Sequence, residues 1–379
     1  MSLVPTEEQE MLRKTVREFV TEHTPVSHLR ALRDSNDPVG YSREIWKQMS
    51  ELGWTGITLP EEYGGSELGY VELGILLEEC GRTLTPEPLL ASVVLGAEAI
   101  ALGGSEAQKR ELLPSVCSGD RTIALAFQES GRFHPYRVTA TAIATDGGYR
   151  LSGSKHFVAN GHMADRLVVV ARTSGAEFDR AGLSLFLVDP GAAGVEVTRS
   201  YMVDDRNSAR VVLSGVEVPP ASLLGAIGDG AATLDPLFDR ATAAVCAEML
   251  GSASEAFERT IEYLKTSEQF GKRIGSFQAL KHRAARMFCE LELSRSIVAD
   301  VLSAVDEGRE ELPTLVCTAK ARLSDTAALV SQEAIQMNGG IGMTDEEEIG
   351  FFLKRARAAE LFLGDARHHR ERFATLQGF

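Results

Sequence analysis

Cysteine and histidine are the residue types that most often bind metals or act as nucleophiles, but their spacing in this sequence suits neither role. None of the cysteines belongs to a CxxC or Cys/His arrangement, and their number is odd. His282 and the pair His368-His369 also lack the spacing of metal ligands. A single histidine on an amphipathic helix is more often packed or exposed than catalytic. We therefore predict no metal site, and reduced, mostly buried thiols at Cys80, Cys117, Cys246, Cys289 and Cys317.

Glycine, glutamine and aromatic residues offer a different chemistry, the binding of a ligand. Gly339 and Gly340 would let the backbone approach a bound molecule closely. Gln278 and Gln336 can form hydrogen bonds to polar ligand atoms, and Phe157 offers a flat apolar face. Each residue taken alone has an alternative interpretation, because a glycine pair can simply end a helix and a phenylalanine can belong to the core.

The elements that position these residues follow from hydrophobic periodicity. The first third of the chain has helical spacing, beginning with a capping box of Thr6 and Gln9 and interrupted by a turn at Pro60–Gly65. The predicted helices after the first are Tyr41–Leu52, Tyr70–Cys80, Pro88–Ala101 and Glu106–Val116.

From Thr122 the period changes to two, which is typical of strands. Asp146-Gly147-Gly148 predicts a hairpin because these residues tolerate positive φ. The region is predicted to be a mainly antiparallel sheet or barrel. Its strands are predicted at Arg137–Ala144, Tyr149–Ser154, Arg166–Arg172, Leu183–Val188, Val195–Ser200 and Arg210–Val218.

After Gly225 the helical period returns in three long segments, Leu234–Ser267, Ser276–Glu307 and Leu312–Met337. A chain of 379 residues is long enough for two or three packed regions. We therefore predict an α+β multidomain fold with an N-terminal helical domain at 1–121, a middle β domain at 122–225 and a C-terminal helical bundle at 226–379.

Composition narrows the choice of partners and location. The formal net charge of −15 disfavours nucleic acid, whose binding requires clustered lysine and arginine. No apolar run approaches the roughly 20 residues that span a bilayer, and the first residues lack the pattern of a signal peptide. We expect a cytoplasmic globular protein in which any phosphorylated ligand contacts local basic residues and helix N-termini.

Several motifs, in order along the chain, carry a family resemblance. Weaker ones are Pro60–Gly65 (PEEYGG), Leu77–Arg82 (LEECGR) and Val216–Pro219 (VEVP). The stronger ones are Leu151–Lys155 (LSGSK), Tyr263–Gln278 (YLKTSEQFGKRIGSFQ) and Gln336–Glu346 (QMNGGIGMTDE). Together with the helical, sheet, helical order, these motifs resemble the acyl-CoA dehydrogenase family of bacterial type.

The resemblance implies FAD bound at a subunit interface and α,β-dehydrogenation of an acyl-CoA thioester. It implies oligomerisation, as a homodimer, a homotetramer or a heterotetramer with a related subunit, and an electron-transfer flavoprotein as the reoxidant. The positions that match the family's flavin contacts are Phe127, Gln128, Glu129, Phe157, Ala159, Ser267, Gln269, Phe270, Gln278, Gln336, Gly339 and Gly340.

Two of these positions depart from the family pattern. Family members usually carry an arginine at the position of Ser267, where it contacts the pyrophosphate of the cofactor. Its loss removes a charge-assisted contact of roughly 1.5–3 kcal/mol, unless Lys265, Lys272 or Arg273 substitutes. In the flavin loop, only Glu129 and one glycine of the family pattern are present.

The catalytic base is the larger departure. Most family members place a glutamate where this chain has Leu363, and a second group places it where this chain has Ala241. Neither side chain can accept a proton. Thr242 stands where an arginine often lies near coenzyme A, although a register slip of two would bring Arg240 there.

Glu248 and Glu360 lie on the same helical faces as the two lost positions and are alternative bases, although a helical glutamate is usually paired or solvated. The catalytic residue thus stays unassigned. We favour a chain that works beside a related subunit bearing the glutamate. The alternatives are a noncatalytic FAD-binding or structural subunit and a flavin monooxygenase of similar fold.

Overall fold

The computed structural model describes residues 5–379. The first helix begins with the predicted capping box, in which the Thr6 hydroxyl accepts from the Gln9 N–H at 3.2 Å and the Gln9 amide oxygen accepts from the Thr6 N–H at 3.0 Å. The opening helices are α1 (Glu7–His23), α2 (Val26–Asp34), α3 (Arg43–Glu51), α4 (Tyr70–Thr83), α5 (Glu98–Gly103) and α6 (Glu106–Cys117).

One predicted α-helix in this region has a different geometry. Within the predicted segment Pro88–Ala101, residues Leu89–Ala97 form a π-helix that continues directly into α5. The Ser92 hydroxyl in this wide turn accepts a hydrogen bond from the Ile123 N–H at 3.2 Å. The hydrophobic period predicted a helix here, but it does not indicate which backbone carbonyl accepts from each N–H, which is what distinguishes a π-helix from an α-helix.

The middle of the chain forms a mainly antiparallel sheet, as predicted. Among the described residues eight strands belong to it, in the order β6-β7-β3-β2-β4-β5-β8, with β1 paired to β4. The pairs β1–β4 and β2–β4 are parallel. The strands are β1 (Ile123–Ala126), β2 (Thr141–Thr145), β3 (Gly148–Ala159), β4 (Arg166–Arg172), β5 (Leu183–Val188), β6 (Val195–Tyr201), β7 (Asn207–Val218) and β8 (Leu223–Leu224).

The predicted hairpin is present, since Thr145 pairs with Gly148 and leaves Asp146-Gly147 as a two-residue loop. The prediction that β2 begins at Arg137 was wrong. Strand β2 begins at Thr141, because several backbone groups just before it bond to side chains and to a loop carbonyl and do not continue the pairing with β3. The Ala140 N–H donates to Glu129 at 3.0 Å, and the Val138 carbonyl accepts from Arg172 at 3.0 Å. Strands β1 and β8 were not predicted from the sequence.

The C-terminal part is helical, as predicted, apart from a short hairpin. The first of its helices has 37 residues and is therefore about 55 Å long at 1.5 Å per residue. The last two helices were not delimited by the sequence pattern. The elements are α7 (Gly230–Thr266), β9 (Glu268–Gln269), β10 (Lys272–Arg273), α8 (Gln278–Asp306), α9 (Leu312–Asn338), α10 (Ile349–Leu361) and α11 (Ala366–Leu376).

The chain divides into two compact units. The helical unit comprises the chain up to Asp34, Tyr70–Thr85 and Thr242–Phe379, and the sheet unit comprises Ser35–Gly69 and Pro86–Ala241. The three domain boundaries that we draw from the sequence remain a prediction. No helix within residues 5–379 is both long and apolar enough to cross a membrane.

Candidate functional site

In the sheet unit, the loop that follows β1 is held by the carboxylate of Glu129. One carboxylate oxygen accepts from the N–H and the hydroxyl of Thr139 at 2.7 and 2.5 Å. The other accepts from the Ala140 N–H at 3.0 Å and the Lys155 ammonium at 2.6 Å. The Glu129 carboxylate is therefore fully engaged within the protein, and any contact between Glu129 and a ligand would come from its backbone.

Glu129 and Lys155 form a buried ion pair, with side-chain exposures of 7% and 0%. Burial by itself would raise the pKa of Glu129, but the Lys155 ammonium and the Thr139 bonds outweigh it and hold that pKa below its usual range. Burial lowers the pKa of Lys155 to about 8, against the opposing effect of Glu129. Both groups are charged at neutral pH, so the loop is tied to β3 by an ionic contact.

Phe157 lies at a bulge in β3 next to this loop. The pairing of β3 with β7 shifts between Lys155 and Val158, and Phe157 has a φ of +55°. A phenylalanine in the left-handed region costs on the order of 1–3 kcal/mol and persists only where its surroundings impose it. The His156 N–H donates to the Gln128 carbonyl at 2.7 Å, which links the bulge to the loop. The bulge leaves the Phe157 ring 42% exposed.

The end of β3 carries a second feature that suits a polar ligand. Ala159 pairs with Ser208 of β7 and has no polar side-chain atom of its own. The hydroxyl of Ser208 is buried and has no hydrogen-bond partner among the described residues. Sequence reasoning missed Ser208. The amide of Gln128, by contrast, donates to the Ser130 carbonyl at 2.7 Å and stabilises the loop itself.

Three aromatic rings cluster beside the loop, within the sheet unit. The ring centroids of Phe127 and Phe238 lie 5.0 Å apart, and Phe133 is 6.0 and 5.6 Å from them. Such tilted and edge-on contacts are the favourable arrangements for aromatic pairs. The predicted residue Phe127 is therefore part of a buried apolar wall.

In the helical unit, the residues predicted at the QFG turn lie on and beside the hairpin β9–β10. Gln269 pairs with Lys272, and Phe270 and Gly271 form the two-residue turn with φ of +55° and +73°. The Phe270 ring is 92% exposed. An aromatic ring this exposed, on strained backbone, suits a surface that a ligand or a second chain covers.

The basic residues around Ser267 differ in how they are engaged. Lys265 forms an ion pair with Glu262 at 2.6 Å, and Lys272 lies 4.4 Å from the ring centroid of Phe277. Gln278, the first residue of α8, is exposed beside this hairpin. Lys272 and Arg273 belong to β10 itself, so these two are the candidates to replace the arginine that the family carries at Ser267.

The glycine pair ends α9. Gly339 has φ +68° and ψ −144°, a conformation that only glycine adopts readily, and a Cβ added to Gly339 or Gly340 would meet no atom within 4 Å. Gln336 is exposed one turn earlier. The glycines thus both end the helix and leave its edge open to a ligand.

The two usual base positions are apolar and buried. Leu363 is fully buried with a φ of +57°, and Ala241 is fully buried on α7. The turn at Leu363 is held by Lys320, whose ammonium donates to the Glu360 and Gly364 carbonyls at 2.9 and 2.7 Å. Burial lowers the pKa of Lys320 to about 8. The backbone of the turn is thus constrained, but the Leu363 side chain cannot exchange a proton.

The alternative acids are both paired. Glu248 accepts two hydrogen bonds from Arg355 at 3.1 and 2.6 Å, and both side chains are almost completely buried. The cavity beside this pair measures about 10 Å³, room for a single water. Glu360 pairs with Arg357 at 2.5 Å. Neither carboxylate is placed as a free base.

The two candidates for a coenzyme A contact on α7 differ in charge and pairing. Arg240 forms an ion pair with the buried Glu98 of α5. Thr242 is buried. Arg240, the cation of the two, is therefore already paired with a carboxylate of the sheet unit.

Sequence reasoning missed the ionic framework of the site. Lys155 lies on the inward face of β3 together with Leu151, and this alternation was a signal that its ammonium must be buried and paired.

Four cysteines are buried and Cys289 is exposed. Across the part of the chain that the structure describes, no group of three acidic, histidine or cysteine side chains could bind a metal.

Comparison with known proteins identifies the family. The N-terminal, middle and C-terminal domain models of acyl-CoA dehydrogenase match residues 6–120, 125–216 and 228–375. The mitochondrial isovaleryl-CoA dehydrogenase of Pongo abelii is 32% identical over 372 residues, 95% of this chain and 86% of that protein.

Two solved structures are similar over nearly the whole chain. The ChsE4–ChsE5 complex from Mycobacterium tuberculosis contains a chain 28% identical to this one, with a TM-score of 0.89 and 100% of both chains covered. A variant of the Tcur3481–Tcur3483 steroid ACAD has a chain 32% identical, with a TM-score of 0.87 and 98% of both chains covered. The chain belongs to the acyl-CoA dehydrogenase family, oxidoreductases that act on CH–CH donors.

Proposed function

We propose that this chain takes part in the FAD-dependent α,β-dehydrogenation of an acyl-CoA thioester as one subunit of a heteromer, in which a related chain supplies the catalytic carboxylate. The observation that carries the proposal is the pair of buried apolar side chains, Leu363 and Ala241, at the two positions of the family base. Removal of the proton next to the thioester carbonyl requires a positioned base, which contributes about 10² to 10⁴ in rate.

The residues of this chain fit a flavin on several counts. Phe157 presents an exposed aromatic face on strained backbone, and Gly339 and Gly340 leave an open edge. Gln278 and Gln336 are exposed and can bond polar cofactor atoms. A bound flavin would accept the hydride from the substrate. Lys272 or Arg273 would take over the pyrophosphate contact that Ser267 lacks.

Relatives support the heteromeric assembly. Two of the similar structures are named as pairs of chains, ChsE4–ChsE5 and Tcur3481–Tcur3483, and the second is a steroid ACAD. We infer by analogy that this chain pairs with a related subunit and that the acyl group is bulky. A homodimer or homotetramer is the alternative assembly. An electron-transfer flavoprotein as reoxidant and a cytoplasmic location complete the proposal.

A noncatalytic FAD-binding subunit is the second candidate. It is favoured by the serine at position 267 in addition to the two lost bases. The two candidates differ in whether acyl-CoA reduces a flavin in the assembly that contains this chain.

The test compares the chain expressed alone with the chain co-expressed with a related, glutamate-bearing subunit. Bound flavin is measured by visible absorption, and saturated acyl-CoAs are added anaerobically. We expect flavin bleaching only in the heteromer. Bleaching of the flavin by the chain alone would overturn the proposal that a related subunit supplies the catalytic base. A yellow heteromer whose flavin count includes a site on this chain, but which no acyl-CoA bleaches, would favour the noncatalytic subunit.

A further inference from the structure

A groove in the helical unit has no role in the proposed reaction. It has a volume of about 280 Å³ and lies among α1, α4 and α8. Its described lining belongs entirely to the helical unit and includes none of the residues assigned above to the flavin or to the base positions. The lining residues that determine its chemistry are Arg13, Glu78, Arg295, Val298, Ala299 and Leu302.

The pairing of the helices places the charged side chains of the groove at one end. Helices α4 and α8 are antiparallel, because Arg295 donates to Glu78 at 2.7 Å and Asp306 accepts from the Tyr70 N–H at 2.6 Å. Arg13 of α1 also donates to Glu78, at 2.9 Å. Two guanidinium groups and one carboxylate therefore meet where α1, α4 and α8 come together.

The rest of the groove is apolar and elongated. From Arg295 to Ser303, α8 advances by about 12 Å at 1.5 Å per residue. A Cβ on Gly74 would lie 2.3 Å from Leu302, so α4 and α8 approach closely along this length. Beyond the charged end, the described lining contains no charged side chain. Its apolar side chains include Ile75, Leu250, Val298, Ala299 and Leu302.

The charges that line the groove leave an excess of one cation. Glu78 is shared between Arg13 and Arg295, so it balances only one of them. Arg13 is also committed to the buried Glu79, which accepts from it at 3.0 Å. Arg295 is therefore the lining residue with charge to offer to a ligand.

Arg295 also has hydrogen-bonding capacity to spare. Its Nη2 lies 3.5 Å from the Ser254 hydroxyl and its Nε lies 3.5 Å from the Glu292 carboxylate. Both distances exceed the usual range of about 2.7–3.2 Å. Nε and Nη2 form an edge that a guanidinium can use to bind a carboxylate through two hydrogen bonds. The Arg295 side chain is 43% exposed, so a ligand can reach it.

We propose that this groove binds a straight-chain carboxylate of medium length. The carboxylate accepts from Arg295, and the alkyl chain lies along Val298, Ala299 and Leu302. An extended eight-carbon carboxylate is roughly 10 Å long, given C–C bonds of about 1.5 Å, and so matches the length of the groove. The inference does not rest on the proposed dehydrogenation, since the two sites share no residue.

Octanoate is the probe for this site. Its binding to the full-length, flavin-loaded protein is measured by isothermal titration, together with hexanoate, dodecanoate and 1-octanol. We expect octanoate to bind about tenfold more tightly than hexanoate, because two more CH₂ groups are buried. Dodecanoate should bind no more tightly than octanoate, since its last carbons extend beyond the groove. Octanol lacks the charge and should bind about tenfold more weakly than octanoate.

Two variants assign the binding to the groove. Arg295→Gln should weaken octanoate about tenfold and leave octanol unchanged, because only the carboxylate uses the guanidinium. Ala299→Phe fills the apolar part and should weaken both ligands at least about tenfold. Arg283→Gln is the matched control, since Arg283 is also an arginine of α8 paired with a glutamate, Glu333, but does not line the groove.

Absence of octanoate binding, or equal affinity for octanoate and octanol, would overturn the proposal. A steady rise in affinity up to dodecanoate would show unspecific binding to apolar surface and would overturn it too. Octanoate affinity that is unchanged in both groove variants, with unchanged thermal melting, would place the ligand elsewhere. Flavin absorbance is recorded in the same titrations, and a spectral shift that persists in both variants would place octanoate at the flavin instead.

Discussion

At the scale of single residues, the site depends on buried charges whose partners are far away in sequence. Lys155 and Glu129 are 26 positions apart, and Glu248 and Arg355 are 107 apart. A buried charge is tolerable only with its partner, because burial without one costs several kcal/mol. Removing one member of such a pair should therefore be far more harmful than breaking an exposed pair.

Replacement of the buried lysine tests this point. Lys155→Met leaves the Glu129 carboxylate buried without its ammonium, so we expect a loss of about 3–5 kcal/mol in the free energy of unfolding. The measurement is urea unfolding followed by circular dichroism. Arg150→Met is the control on the same strand, because Arg150 and Glu217 are exposed and their pair contributes about 0–1 kcal/mol. Equal effects of the two substitutions would contradict the ionic tie between loop and strand.

The buried histidine makes a prediction for pH. The pKa of His369 is lowered to about 3, so between pH 3 and its ordinary value of 6.5 the unfolded chain binds a proton that the folded chain does not. Its contribution to stability is complete above pH 6.5 and is lost as the pH falls towards 3. In His369→Gln, the free energy of unfolding should decline less steeply from pH 6 to pH 4, by up to about 1.4 kcal/mol per pH unit.

Urea unfolding at a series of pH values measures this difference in slope. His282→Gln is the control, because His282 is exposed on α8. Parallel stability curves for the wild type and His369→Gln would show that His369 titrates normally in the folded protein.

At the scale of elements, the helical unit depends on a close contact between α4 and α7. A Cβ on Gly251 would lie 1.8 Å from the Glu78 carbonyl, and one on Gly81 would lie 2.2 Å from the Glu248 carbonyl. These glycines let the two backbones touch, and the contact fixes the direction of α7 at Glu248. The turn at Leu363 is a second such element, since Lys320 occupies the carbonyls on both sides of it.

The contact predicts opposite effects for the same substitution at two helical glycines. Gly251→Ala should lower the free energy of unfolding by about 1–3 kcal/mol or more, because the helices must move apart. Gly350→Ala in α10 should raise it by up to about 1 kcal/mol, since no atom lies within 4 Å and alanine favours helix. Thermal and urea unfolding of both variants measure the difference. A neutral Gly251→Ala would mean that α4 and α7 are not in contact there.

At the scale of the whole molecule, the chain matches the N-terminal, middle and C-terminal domains of the family in order. It nevertheless has no carboxylate at either position of the family base. Its net charge of −15 disfavours nucleic acid as a partner. The turn at Leu363 has a left-handed backbone with a φ of +57°.

Leu363→Glu tests whether the missing base alone limits the chain. With flavin bound, this variant should bleach with saturated acyl-CoA in the absence of a partner subunit, about 10² to 10⁴ times faster than Leu363→Gln. Leu363→Gln has nearly the same shape but cannot accept the proton. Stopped-flow absorbance under anaerobic conditions gives both rates. Equal rates in two folded, yellow variants would mean that residue 363 does not face the substrate.

The sequence by itself determined the features that depend on local or periodic information. The capping box at Thr6, the hairpin at Asp146-Gly147, the order of helical and strand regions and the absence of glutamate at positions 241 and 363 all follow from neighbouring residues or from motif spacing. Family membership also followed from motifs spread along the whole chain.

Only the tertiary structure decided where the buried polar groups find their partners. Glu129 pairs with Lys155, Glu248 pairs with Arg355, and Lys320 donates to two carbonyls. Hydrogen bonds to Glu129 and Arg172 also determine where β2 begins. The tertiary structure also showed the strained backbone at Phe157. The physical reason is that hydrophobic period reports which face of an element is buried, whereas the pairing of a buried charge depends on which distant segment packs against that face.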